Sequence, residues 1–353
     1  MIVPSPLREI KEPLLAWYSQ NARTLPWREN PTPYRVWISE IMLQQTRVEA
    51  GKPYFERFVA QLPDVAALAQ ADEALLLKLW EGLGYYSRVR NLQKAAKMVI
   101  EKYGGQLPEH PVELQKLPGI GPYPAGALAS IAFGIAAPAV DGNVLRVFAR
   151  LLDDNRDIGS PSVKKEYETF AATIIPPGQA GDFNQALMEL GALVCLPGGV
   201  PLCTNCPLAH LCRGRASGNA SALPKKIPKS PRREETHTIL RLECDCQTAL
   251  RRRPPHGLLA SLWELPEAKG LLTAEEVITL IQSWGLKPLG APINLGQARH
   301  IFTHVQWNML GWAIPVEQTG GQSLVWATPH ELTEAYSLPS AFRIWLERTP
   351  NNN

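Results

Sequence analysis

The run CLPGGVPLCTNCPLAHLC, Cys195 to Cys212, holds four of the chain's six cysteines in the spacing C-x7-C-x2-C-x5-C. Thiolates are soft ligands, and four in one short loop point to a metal site rather than to disulfides. A zinc ribbon offers two C-x2-C knuckles separated by a longer stretch. One C-x2-C flanked by two single cysteines better suits a [4Fe–4S] cube with one thiolate per iron. The bland alternative is four unrelated core cysteines acting as small hydrophobes. A cluster implies a reducing compartment. Upstream, Ala186, Leu187, Leu190 and Val194 recur at helical spacing and lead a helix into the first cysteine.

Outward from this loop, 353 residues are enough for two domains, each with its own core. The net charge of +3 advertises no partner, but the local charge is more telling: Arg213 to Arg233 carries seven Lys or Arg and no acid. Such a run suits a polyanion such as DNA, and equally a solvated linker. Met1 to Ile10 has no apolar signal-peptide core, and the apolar stretch Ala125 to Val140 is broken by Gly and Pro, so no membrane is expected and the location is expected to be cytoplasmic. Cys244 and Cys246 are too few to bind a metal alone.

The texture changes along the chain. Residues 1–212 read as mostly helical. Trp37, Ile38, Ile41, Met42 and Gln45, with Tyr34, share one helical face, and Val144, Val147, Phe148 and Leu151 follow i, i+3, i+4, i+7 just after Asp141 and Asn143. Residues 213–235 read as a basic linker. Beyond it, Ile239 to Leu242, Gln306 to Ile314 and Leu324 to Trp326 read as strands, and Thr273 to Trp284 as a helix with Val277, Leu280 and Ile281 on one side. No internal repeat is present.

Two short motifs carry chemistry. Leu117-Pro118-Gly119-Ile120-Gly121 sits between helical patterns, and the next helix opens on Pro122. A helix N-terminus with free N–H groups behind close-approach glycines suits a phosphate, as in a helix-hairpin-helix that grips a DNA backbone without reading sequence. Val140-Asp141-Gly142-Asn143-Val144 follows, where Asp141 is a helix N-cap, a catalytic carboxylate facing a sugar, or both.

Taken in order, the hairpin, the Val140–Val144 element and the four-cysteine loop resemble the endonuclease III superfamily of DNA glycosylases. Within it, Trp37-Ile38-Ser39-Glu40-Ile41-Met42-Leu43-Gln44-Gln45-Thr46, Gly82-Leu83-Gly84-Tyr85-Tyr86-Ser87-Arg88 and Asn184-Gln185-Ala186-Leu187-Met188 are similar to the adenine glycosylases of the MutY family. So are Gly257-Leu258-Leu259, Leu262-Trp263-Glu264-Leu265-Pro266 and Phe302-Thr303-His304. The resemblance implies an α+β multidomain fold: a helix-hairpin-helix six-helix domain over about 31–138, a cluster subdomain from about 1–30 and 139–212, the linker 213–235, a Nudix-like α/β domain over 236–347, and a tail 348–353.

Cleaving adenine from its sugar needs ring protonation and a stabilised sugar cation. Glu40, at the edge of an apolar face, suits the general acid if burial raises its pKa; the rival reading is a surface glutamate with Gln44 as its i+4 neighbour. Asp141, ionised, suits the cation. The resemblance implies that Tyr123 and Asn143 position Asp141 and the sugar, and that Arg23, Trp27, Arg28 and Gln185 form the adenine pocket. It implies that Gln45, Thr46 and Tyr85, with Gly119 and Gly121, engage the DNA and fill the stack, though Tyr85 and Tyr86 also read as plain core aromatics. It implies that Phe302, Thr303 and His304 read the opposite base; a buried loop histidine is the other reading of His304. The four cysteines would ligate [4Fe–4S].

Superfamily members that also cut the strand carry a Schiff-base lysine two residues after the hairpin. Here that place is Tyr123, which removes the amine. After Pro266 only Glu267 and Glu275-Glu276 are offered, without the glutamate-rich arrangement of a Nudix enzyme. The expectation is a monomeric enzyme that excises adenine opposite 8-oxoguanine or guanine in duplex DNA. A glycosylase/lyase of the endonuclease III kind and a silent iron–sulfur damage binder are the rivals.

Overall fold

The computed structural model describes residues 2–227, 231–317 and 324–349. Part of the expected linker, 228–230, and of the tail, 350–353, lies outside them. The helices are α1 (Ser5–Arg8), α2 (Lys11–Asn21), α3 (Pro26–Glu29), α4 (Pro33–Met42), α5 (Val48–Gln61), α6 (Val65–Gln70), α7 (Glu73–Leu79), α8 (Ser87–Tyr103), α9 (Pro111–Leu114), α10 (Pro122–Phe133), α11 (Gly142–Leu152), α12 (Pro161–Ile174), α13 (Ala180–Leu193), α14 (Arg213–Ala216), α15 (Ala274–Ser283), α16 (Pro329–Glu334) and α17 (Ser340–Glu347). No helix of the described residues is long and apolar enough to cross a membrane.

The chain forms two compact units, and they are not consecutive in sequence. One comprises 1–71 and 90–228, the other 72–89 and 229–353. The segment 72–89, expected inside the six-helix domain, thus groups with the C-terminal part.

In the helical unit, one core gathers Leu7, Ile10 and Leu14 with Val144, Phe148, Tyr167, Phe183, Leu187 and Leu208. The periodicity read for 144–151 is the buried face of α11. Its four large apolar side chains contribute roughly 1.5–3 kcal/mol each. Together they seat α11 in the core of the helical unit. α10 packs against α4, α9 and α13, and α11 against α13. The hairpin turn before α10 depends on Gly119, whose φ of +81° suits glycine and whose Cβ would lie 2.9 Å from Asn91 Cβ.

Two expectations fail locally. α4 ends at Met42, and Gln45 lies beyond it with φ +60°, so it does not share the helix face of Trp37 and Ile41. Its place in the pattern was a coincidence of spacing. Residues 213–227 are not a free linker: Gly214, Ala220 and Leu223 are buried, Arg150 Nε donates to Leu223 O at 2.9 Å, and Ile158 N donates to Lys225 O. These residues dock one at a time, which leaves no periodicity to read.

In the second unit the strands are β1 (Arg233–Cys244), β2 (Gln247–Arg252), β3 (Trp263–Glu264), β4 (Glu267–Lys269), β5 (Lys287–Pro288), β6 (Ile293–Ile301), β7 (Val305–Glu317) and β8 (Val325–Ala327). β3-β2-β1-β7-β5 form the sheet's spine, with β4 on β1, β6 on β7 and β8 on β2; β1 and β7 run parallel and the other pairs antiparallel. Alternation divides the strands between two cores. Ile239, Trp307 and Met309 face Phe342 and Trp345 of α17, while Leu240, Leu242 and Ile314 face Val277 and Ile281 of α15. Thr273 caps α15 in a reciprocal box with Glu276.

Candidate active site and its relatives

A cavity of about 370 Å³ in the helical unit is lined by Glu40, Tyr123, Asp141 and Asn143 together with Arg23, Trp27, Arg28 and Gln185. All eight residues expected for catalysis and the adenine pocket therefore meet, although they come from five separate stretches of chain.

Glu40 stands on the last turn of α4, half-buried, and Tyr123 from the first turn of α10 donates its hydroxyl to Oε2 at 2.6 Å. Burial pushes the carboxyl up to about 7, the Tyr123 hydrogen bond and Arg28 act against the shift, and the charge of Asp141 adds to it. Burial also raises Tyr123 well above the usual phenol range, which keeps it a donor. The surface-glutamate reading fails, because Gln44 lies past the helix end. Of the pair expected to position Asp141 and the sugar, Asn143 bonds Asp141 and Tyr123 bonds Glu40.

Asp141 is both the N-cap of α11 and a lining residue. Its Oδ1 accepts from Asn143 N and Val144 N, both at 2.9 Å, and its Oδ2 from Asn143 Nδ2 at 2.6 Å. Burial still lifts it above its ordinary value; these three bonds and Arg146 oppose the shift. Arg146 in turn donates to Asn143 Oδ1, Gly191 O and Cys195 O. Gly191 matters because a Cβ there would lie 2.5 Å from Asn143 Cβ. Asn184, 1 % exposed, accepts from Ala139 N and donates to Ala137 O and Ser130, fixing the segment that leads into Asp141.

The pocket wall is held by a residue the sequence reading missed. Glu189, 1 % exposed, accepts two parallel bonds from Arg23 (2.7 and 3.0 Å) and one from Arg28 (3.2 Å), and despite burial these arginines hold it below the usual glutamate value. Arg28 Nε donates to Gln185 at 2.9 Å, and Trp27 meets Phe55 edge-on at 5.2 Å. A glutamate among Ala186, Leu187 and Leu190, one turn past Gln185, was the available signal. An adjoining hollow is lined by Gln45, Tyr123, Asp141, Lys164 and Glu168. Thr46 N donates to Leu43 O in the turn that carries Gln45. Gly121 caps α10, next to Gly119.

In the second unit, Phe302, Thr303 and His304 form the turn between β6 and β7, closed by Phe302 N to Val305 O. Phe302 packs against His300 and Trp307, Thr303 and His304 are exposed, and the Tyr85 hydroxyl is 2.9 Å from Thr303 Oγ1. Tyr85 is 45 % exposed with φ +49°, while Tyr86 is core. Arg232 and Arg233 of the basic run hold this turn through Phe302 O and His304 O. Glu267 pairs with Arg253 and His237, and Glu276 is spent on the α15 cap.

Cys195, Cys203, Cys206 and Cys212 line one cavity with Arg150, whose Nη1 donates to Cys195 Sγ at 3.2 Å. Among the described residues no three His, Cys, Asp or Glu side chains gather as a single metal ion requires. The four thiols line this one cavity, and four thiolates are the donor set that a [4Fe–4S] cluster takes. Burial pushes the Cys206 thiol up to about 12 and the other three thiols add to this, so thiolates here call for cationic charge at their centre. Gly198 and Gly199, both at positive φ, carry Val200 outward, and Leu202 N returns to Val194 O at 2.9 Å.

Residues 38–173 match the model of the HhH-GPD superfamily base excision DNA repair protein, and 237–348 that of the NUDIX domain. A Homo sapiens adenine DNA glycosylase is 35% identical over 96% of this chain and 74% of its own length. The chain belongs to the adenine DNA glycosylase family. It is an N-glycosylase of base excision repair. A second adenine DNA glycosylase, from Buchnera aphidicola subsp. Baizongia pistaciae, is 34% identical over 83% of this chain and 82% of its own. Among solved structures, that of a non-covalent endonuclease III–DNA complex matches with TM-score 0.51 and 27% identity, covering 60% of this chain and 97% of the other.

Proposed function

We propose that this family member hydrolyses the N-glycosidic bond of adenine opposite 8-oxoguanine or guanine in duplex DNA and stops at the abasic site. The observation that carries the reading is the meeting of a carboxyl poised near 7 with a multiply hydrogen-bonded one in a single cavity. Extruding the adenine costs a few kcal/mol, recovered by stacking and hydrogen bonds in the pocket of Trp27, Arg28 and Gln185. With Tyr123 engaging Oε2, the Glu40 proton sits on Oε1 and passes to the purine ring. The C1′–N9 bond breaks, neutral adenine leaves, Asp141 stabilises the sugar cation, and water supplies the hydroxyl and returns a proton to Glu40. Gln45, Thr46 and Tyr85 fill the stack, the hairpin Gly119–Gly121 holds phosphate, and Phe302, Thr303 and His304 read the opposite base. Cys195, Cys203, Cys206 and Cys212 would hold [4Fe–4S], which supplies structural cross-linking of the loop when bound.

The test is a labelled duplex with one adenine opposite 8-oxoguanine, incubated with the protein and resolved with and without alkali. Breakage only after alkali is expected. Breakage without alkali would assign a lyase step, and Lys164 beside Asp141 is where its amine would be sought. No abasic product under any condition overturns the reading.

A further inference from the structure

The opposite-base reader joins two stretches far apart in sequence, and the 2.9 Å bond between the Tyr85 and Thr303 hydroxyls is too exposed to hold them in place alone. On the Thr303 side the turn is anchored by Phe302 against His300 and Trp307. On the Tyr85 side the loop has little regular structure of its own: Gly82, Gly84 and Tyr85 all have positive φ. At the start of that loop stands Glu81. Its Oε1 accepts from Leu338 N at 2.9 Å and from Arg343 Nη2 at 2.6 Å, and its Oε2 pairs with Lys78 Nζ at 2.8 Å. Lys78 also reaches Tyr336 O at 3.3 Å. The side chain of Glu81 is only 12% exposed, so these charge-assisted bonds are partly shielded from solvent. Leu338 and α17 belong to the core that contains Trp307 and supports Phe302.

We infer that Glu81 is a positioning residue for opposite-base reading: by locking 72–89 to residues 336–343 it presents Tyr85 and Thr303 as one preassembled element. The inference rests on the mispair reading above. Glu81 touches neither base; it acts through the registry of the loop behind Tyr85.

Single-turnover excision by the full chain is compared on duplexes with adenine opposite 8-oxoguanine and opposite guanine. Glu81→Ala is expected to shrink the ratio of the two rates by about tenfold, and Glu81→Gln, which keeps the acceptor for Leu338 N, by less. Arg343→Ala combined with Glu81→Ala is expected to lose little more than Glu81→Ala alone, the signature of a shared contact. Thermal melting of each variant separates misfolding from misreading, and Arg343→Ala, at a partly exposed site, serves if Glu81→Ala does not fold. Unchanged discrimination in all folded variants, with the parent discriminating, overturns the inference alone. A parent that treats both duplexes alike overturns the mispair reading and the inference with it.

Discussion

Glu40 and Asp141 share one cavity, yet their surroundings separate their roles. Glu40 receives one hydroxyl hydrogen bond and is otherwise governed by burial; Asp141 receives three N–H bonds and faces Arg146. The proton on Glu40 is present below its pKa of about 7 and lost above it. The rate of adenine removal is therefore expected to fall as pH rises through about 7, as read from single-turnover rates across pH. Glu40→Gln should lose about 10²–10⁴-fold in that rate while keeping affinity for an adenine-containing duplex. A pH profile flat from 6 to about 8 would sink the acid assignment. Glu40 was legible because its apolar helical neighbours announce desolvation. Its bond to Tyr123 was not, since nothing in two stretches 83 residues apart says which hydroxyl meets which carboxylate.

Among the elements, α11 and α13 carry the geometry. α11 is capped by the Asp141 carboxylate, and α13 supplies Gln185 and Glu189 to the cavity wall while Gly191 lets Asn143 approach. Gly191→Ala places a methyl where Asn143 stands, and overpacking of this kind costs about 1–3 kcal/mol. A lowered melting temperature with slower excision is expected; a variant as stable and active as the parent would show that α13 can shift away. The helix periods of α11 and α13 were readable from apolar spacing. Their buried polar residues Arg146, Asn184 and Glu189 were not assigned roles, because a pattern of apolar residues records which face is buried and not which polar groups find partners there. The end of α4 was misjudged at Gln45 for a related reason: spacing alone does not sense a turn made by one left-handed residue.

At the scale of the molecule, the four-cysteine loop packs on the helical core through Leu208, Cys206 and Cys212. The protein is expected to carry about four irons per chain. Their removal should lower the melting temperature of the helical unit and leave the melting of the sheet unit in place, followed by helical and near-ultraviolet circular dichroism. An iron-free protein with an unchanged melt would separate the loop from the fold. The order of motifs made both parts of the fold readable. The grouping of 72–89 with the C-terminal part was not, because it depends on partners such as Glu81 and Arg343, 262 positions apart. This interleaving bears on where the gene can be cut. A truncation near residue 228 follows the composition boundary, yet it strips Lys78 and Glu81 of Tyr336, Leu338 and Arg343 and leaves buried donors and acceptors of α7 and its loop facing water. A fragment so made is no excised domain but a chain with a severed joint, and a clean dissection would have to carry 72–89 along or rebuild its surface.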